Sequence, residues 1–260
     1  MQLRDRRFLL LGGTGGIGRA LIDPLLDEGA QLLVASRRPD QANLPEGVTA
    51  WPLDLAATDL DQQLKTLSEA WPDLYGVIHC AGQNQFSAIQ HSSVADIDAQ
   101  LAVNLRSAML VARHFVPVFS SRAGGAFVFV GSTFGSIGYP GYTGYCATKF
   151  GLRGFTEALR RELADTPVEV TYVAPRATRT AMNPQAVDQL NQELGNAMDS
   201  PQQVAASIVR AMSRGQRRCF IGWPERLFVV LNGVLPRLVD RAIIKQLPVI
   251  RRYLNSEVSS

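Results

Sequence analysis

Three cysteines in 260 residues, Cys80, Cys146 and Cys219, make an odd number with no CxxC spacing. That excludes a disulfide framework and the common zinc sites, and it points to reduced thiols in a cytoplasm. Apolar residues nowhere reach the ~20 in a row that a membrane-spanning helix needs. The run Phe8–Leu11, behind the charged Met1–Arg7, is too short for a signal-peptide core, so no export leader is expected. Linkers rich in proline, glycine and serine are missing, as are low-complexity tracts and internal repeats. Charge of one sign is missing too: the net charge is +3, and the bases are spread, with some enrichment near the C-terminus. No nucleic-acid footprint follows from that pattern. What is there, 46% hydrophobic and 19% charged residues, is enough for one large α/β domain.

Short apolar runs alternate with helix-like segments. Strands are expected at Phe8–Leu11, Gln31–Ala35, Val48–Leu53, Tyr75–His79, Gly125–Val130, Val168–Val173 and Arg218–Ile221. Helices are expected after the first glycines as far as Asp27, and at Asp59–Ala70, Val94–Ser120, Gly144–Asp165 and Pro201–Arg214. Alternation of this kind implies parallel βαβ units wound on both faces of one sheet of about seven strands. Ligands of such sheets bind outside the C-terminal strand ends, at the switch point.

Gly12-Gly13-Thr14-Gly15-Gly16-Ile17-Gly18 stands between the first strand and the first helix. Glycines there let the backbone turn tightly and approach a pyrophosphate lodged on the helix N-terminus. The spacing is GxxxGxG, and no Lys-Ser/Thr pair follows to make a Walker loop. Past the second strand, where an acid would bind the ribose 2′-OH of NAD, stand Arg37 and Arg38. A guanidinium grips a 2′-phosphate through paired hydrogen bonds, so NADP(H) is favoured over NAD(H), with Arg37 the better placed of the two. The alternative is a pair of solvated arginines, which leaves NAD(H) open.

Tyr145 and Lys149 lie four residues apart on one face of an expected helix. A tyrosine titrates near ~10. A nearby cation favours the phenolate and would make Tyr145 a general acid/base near neutrality. His79 and Cys80 end a strand beside the expected crevice and read as packing residues.

Together these residues resemble the short-chain dehydrogenase/reductase family, in the family's order from about Arg7 to Thr180. Gly12, Gly16 and Gly18 match its loop. Asp54-Leu55 looks like its aspartate after the third strand, and Cys80-Ala81-Gly82 stands at its Asn-Ala-Gly. Asn104 resembles its helix-bending, water-holding asparagine, and Pro175 and Thr180 its segment beside the nicotinamide. Ser132, Tyr145 and Lys149 match its catalytic set. Leu11, Cys80 and Arg176 depart from the pattern, replacing a threonine, an asparagine and a glycine. The resemblance implies a single-domain Rossmann fold and a ketone or aldehyde/alcohol oxidoreductase. In it Tyr145 exchanges the proton, Ser132 orients the oxygen, Lys149 lowers the Tyr145 pKa and binds the ribose, and Asn104 holds a relay water. Two alternatives stay open: an NADP-binding sensor with little turnover, or an epimerase or dehydratase using the same tyrosine. Family analogy also implies a homo-oligomer formed through the long helices.

On the family pattern Phe134, Ile137, Tyr139 and Tyr142 line the substrate pocket, and their character suits a lipophilic carbonyl. Arg176 would stand near the nicotinamide or the pocket mouth and meet an anionic group, or else cap a loop and face water. Ala181–Ser200 is polar and reads as a mobile lid. Residues 1–222 form the nucleotide-binding and catalytic part, and residues 223–260 an amphipathic helical extension of the same domain. Pro224, Pro236 and Pro248 are expected to cut that extension into short helices. Its mixture of apolar and basic residues would pack on the core, form a dimer seam, or contact a membrane through 223–254, at the inner face if so.

Overall fold

The computed structural model describes residues 1–122 and 124–258. Seven parallel strands form one sheet in the order β3-β2-β1-β4-β5-β6-β7. They are β1 (Arg7–Leu11), β2 (Gln31–Ser36), β3 (Thr49–Pro52), β4 (Leu74–His79), β5 (Gly125–Val130), β6 (Val168–Ala174) and β7 (Arg218–Phe220). Every expected strand is present, with ends moved by a residue or so. Strands covered on both faces must be apolar along their whole length, and β5 is buried at all six positions.

One face carries α1 (Gly16–Asp27) and α7 (Pro201–Ser213), which close a core around Phe8, Leu10, Ile22 and Ile208. The other carries α2 (Leu60–Ala70), α4 (Ser107–Ser120) and α5 (Thr143–Glu162), over Leu9, Leu64, Phe115 and Phe127. Helices on both faces of a parallel sheet make a Rossmann-like α/β fold. α7 begins with a complete capping box, in which Ser200 and Gln203 satisfy each other's backbone amides.

Three details depart from the expected pattern. Val94–Ser120 is not one uniform helix: α3 (Val94–Leu101) runs into a π-turn at Ala102–Arg106 before α4 begins. The polar stretch 181–200 contains a helix, α6 (Gln185–Glu193), which buries Val187 and Leu190. In the C-terminal extension Pro224 and Pro236 sit in the first turns of α8 (Trp223–Val234) and α9 (Pro236–Val258), where a missing N–H costs nothing. Pro248, by contrast, lies inside α9 without ending it, which corrects the expected third break. The last two residues of the expected 223–260 extension lie outside the described residues.

Candidate active site

The order of the strands reverses between β1 and β4, and a cleft opens at their C-terminal ends. Gly12 follows β1 with φ +85°, and a Cβ there would lie 2.7 Å from the Ala81 backbone after β4. Only glycine lets these two loops meet. Gly18 is buried beneath the loop, while Gly15 faces open space. Thr180, from the loop after β6, packs against Gly16. The cradle is bare backbone at the start of α1, a fit for a pyrophosphate.

From this cradle a cavity of about 780 Å³ runs across the strand ends. Gly12, Thr14, Gly16, Ile17, Arg37, Asp54, Leu55, Ala81 and Gly82 line it. So do Ser132, Tyr145, Lys149, Pro175, Arg176 and Thr180, and the apolar and aromatic Phe134, Ile137, Tyr139 and Tyr142. Of the residues expected at the site, Gly18, Arg38 and Asn104 stand outside the cavity wall. Arg37 and Arg38 are both exposed, but only Arg37 borders the cavity.

Ser132 follows β5 and caps a short 3-10 turn, its Oγ accepting from the Phe134 N–H at 3.1 Å. Gly131 before it has no room for a side chain, since a Cβ would meet the Tyr172 hydroxyl at 2.2 Å. Tyr145 lies in the first turn of α5 and hydrogen-bonds with Ser132. Burial pushes its phenol above the ordinary tyrosine range, and the Ser132 bond acts the other way. The expected depression by Lys149 is therefore not what this structure holds. The Lys149 ammonium stands 5.6 Å from the Tyr145 ring centre and donates to the Val130 carbonyl at 3.1 Å. Burial lowers its pKa to about 8.

Asn104 sits in the π-turn, fully buried. Its Nδ2 donates to the Gln83 carbonyl at 2.8 Å and to Thr148 Oγ1 at 3.0 Å, and its Oδ1 accepts from the Gln83 N–H at 2.7 Å. The side chain thus ties the loop after β4 to α5. Below it, Ser107 donates to the Val103 carbonyl at 2.6 Å and meets His79 Nε2 at 2.7 Å. A hydroxyl has one proton, so His79 must donate from Nε2. Burial lowers the His79 pKa to about 3 and keeps the ring neutral. Burial likewise pushes the Cys80 thiol up to about 12, as suits a packing residue.

Arg176 borders the cavity but is not a free cation. Its Nε and Nη2 grip Asp199 at 3.0 and 2.7 Å, and Nη1 reaches Glu225 at 3.3 Å. Phe134 stacks on Tyr139 with centres 5.1 Å apart and touches Tyr142 at 5.2 Å. Burial raises the Tyr139 phenol to about 12. Sequence reading missed Val187 and Leu190 on α6, Glu225 on α8, and Val239, Ile243 and Gln246 on α9, all of them in the wall. The spacing of the α9 set, i, i+4 and i+7, was the available signal.

Residues 6–191 match the family model for short chain dehydrogenase. Nodulation protein G of a Rhizobium species is 32% identical over 76% of this chain and 81% of its own. A short chain dehydrogenase from Burkholderia cenocepacia, solved with NADP, superposes with a TM-score of 0.81 at 20% identity, covering 94% of this chain and 99% of its own. One from Burkholderia phymatum, solved with NAD, gives 0.79 at 18% identity, covering 92% and 96%. The matched span runs from the glycine loop through the Ser132–Tyr145–Lys149 cluster, and this chain belongs to the short chain dehydrogenase family of oxidoreductases.

Proposed function

We propose that this protein is an NADP(H)-dependent reductase or dehydrogenase that interconverts a lipophilic ketone or aldehyde and its alcohol. The observation that carries the reading is a single cavity lined by the bare glycine cradle, a half-buried Tyr145–Ser132 pair and an aromatic wall. The nicotinamide cofactor supplies or accepts the hydride. Gly12, Gly16 and the start of α1 hold its pyrophosphate, and Asp54 and Leu55 flank its adenine. Arg37 holds the 2′-phosphate. The NADP and NAD found in the two Burkholderia proteins support the cofactor class, and Arg37 is the reason to favour NADP(H).

Tyr145 donates its proton to the carbonyl oxygen, and Ser132 hydrogen-bonds the same oxygen as charge develops on it. A phenol raised by burial is fully protonated at neutral pH, which favours reduction over oxidation. Lys149, close to neutralisation at about 8, is poised to hand on a proton. Asn104 positions this set by clamping Gln83 to Thr148. Phe134, Ile137, Tyr139 and Tyr142 take the apolar body of the substrate, and Arg176, neutralised by Asp199 and Glu225, does not demand an anionic group. We place the protein in the cytoplasm as a homo-oligomer. Copies would meet through α4 and α5, where Met109 and Phe150 are exposed.

The test is loss of reduced-nicotinamide absorbance with NADPH and NADH over a panel of apolar ketones. Turnover with NADPH ahead of NADH is expected, and Arg37→Gln should narrow the difference. Tight NADPH binding with no turnover on any carbonyl would favour a sensor instead.

A further inference from the structure

The C-terminal helix pair has two faces of different chemistry. Inward, Phe228 on α8 and Val239, Ile243 and Gln246 on α9 line the cavity, and Ile250 is fully buried beside Tyr142. Outward, Trp223, Leu227, Val230 and Val234 recur at i, i+4, i+7 and i+11 along α8, and all are exposed, Trp223 by 74% and Val234 by 71%. No residue of α8 is buried. α9 packs against α8 and turns a different stripe outward, with Arg237, Arg241 and Lys245 at i, i+4 and i+8, all exposed. Leu235, Leu238 and Ile244 are exposed among them. With Phe228, which is 43% exposed at the edge of the cavity, eight of the fourteen large exposed hydrophobic residues of the described chain fall in 223–244.

A soluble surface does not gather apolar side chains in this way without a partner. A second copy of this chain is disfavoured by charge. An isologous seam sets a patch against itself, so Arg226, Arg237, Arg241 and Lys245 would meet their own kind. The acids near them are few: Glu225 is taken by Arg176, and Asp240 is the single acid between Arg226 and Arg252. A surface that is apolar at its centre and anionic at its boundary complements both stripes. That description fits the interface of a bilayer containing acidic lipid.

We infer that the α8–α9 pair is a docking surface for an anionic membrane: the α8 stripe enters the acyl boundary and the α9 bases lie at the headgroups. No helix among the described residues is long and apolar enough to cross a membrane, so the contact is peripheral. Because the inner side of the same two helices walls the cavity, a lipophilic carbonyl leaving the bilayer passes from one face of the pair to the other. Membrane contact is independent of turnover, and only this delivery of substrate rests on the reductase reading above.

The experiment is co-sedimentation of the full chain with vesicles of phosphatidylcholine alone or doped with phosphatidylglycerol. Two triple variants are compared, Trp223→Ser/Leu227→Ser/Val230→Ser and Arg237→Gln/Arg241→Gln/Lys245→Gln. None of these side chains lines the cavity. Circular dichroism and turnover of a water-soluble ketone report that each variant is folded. Wild type should sediment with the anionic vesicles, and less as salt rises. The glutamine variant should partition on the order of 100-fold more weakly, at about fivefold per base. The serine variant should lose at least about 10-fold. Three results would overturn the inference. One is no sedimentation with anionic vesicles. Another is light scattering showing a dimer that the serine variant dissociates, which makes the stripe a seam between copies. The third is binding lost by the glutamine variant yet untouched in the serine variant, which marks a purely acidic partner. Vesicle binding by a protein without turnover would remove the reductase reading and leave the membrane surface standing.

Discussion

Lys149 is 3% exposed, and its ammonium has a carbonyl for a partner and no carboxylate among the causes that shift it. Its pKa near 8 lies below the ordinary 10.5, so between those values the unfolded chain binds more protons than the folded one. Stability from this residue therefore rises with pH across that window. Lys149→Met should be more stable than wild type at neutral pH, and chemical denaturation should find the gap closing as pH climbs from about 8 towards 10.5. Tyr145→Phe removes the proposed proton donor and leaves the ring packing, so turnover should fall by at least ~10²-fold while NADPH affinity, followed by fluorescence, holds. If activity persists, the proton comes from elsewhere. Arg176 calls for a different measurement. Asp199→Asn takes away half of a two-point ion pair whose side chains are 19% and 12% exposed. A fully buried pair broken in this way costs about 3–5 kcal/mol. Partial exposure and the remaining Glu225 contact reduce that to about 2 kcal/mol, readable as a shift of the denaturation midpoint.

The π-turn at Ala102–Arg106 is the element on which the site geometry turns. One extra residue in the helical repeat changes the phase between α3 and α4, and Asn104 emerges inside that change. His79 and Ser107 hold the turn from below through the Val103 carbonyl. Ser107→Ala leaves the His79 N–H and that carbonyl short of a partner in a dry interior. A loss of about 1–3 kcal/mol is expected, with kcat falling and cofactor affinity unchanged. Unchanged kcat would mean the turn stands without its buttress. The sequence made Asn104 conspicuous only through family resemblance, because a one-residue slip hides within an otherwise apolar helical pattern. β1, β2 and β5 were legible for the opposite reason: strands buried along nearly their whole length are continuous apolar runs, and a glycine ends β1 and β5. α6 was overlooked because Val187 and Leu190 are few among polar neighbours, and their burial comes from distant segments, α9 and Tyr142 among them. The role of Arg176 was unreadable for a related reason: its two carboxylates lie 23 and 49 positions away.

Across the whole molecule, the aromatic wall and the glycine cradle of the cavity rest on different cores. Phe86, Tyr142, Val187, Leu190, Ile250 and Leu254 form a third cluster beneath α6 and α9, apart from the two sheet faces. Ile250→Ala should cost about 2–5 kcal/mol and raise KM for an apolar carbonyl, with NADPH affinity held. A parallel loss of NADPH affinity would show that the two are not separable. The two sheet faces also differ in where along the chain their covers come from. α2, α4 and α5 are contributed one after another by the middle of the chain, whereas α1 waits for α7, on which it packs. On the ribosome the first layer can close as it emerges. The second closes later, because Leu21, Ile22 and Leu25 pack on the sheet early but share their core with Val204, Ala205 and Ile208, which come last. α1 is also the helix whose first turn forms the glycine cradle. A chain stalled before α7 therefore carries every residue of that cradle with one side of its supporting helix still uncovered, and the newborn protein gains a fully backed glycine cradle near the end of translation.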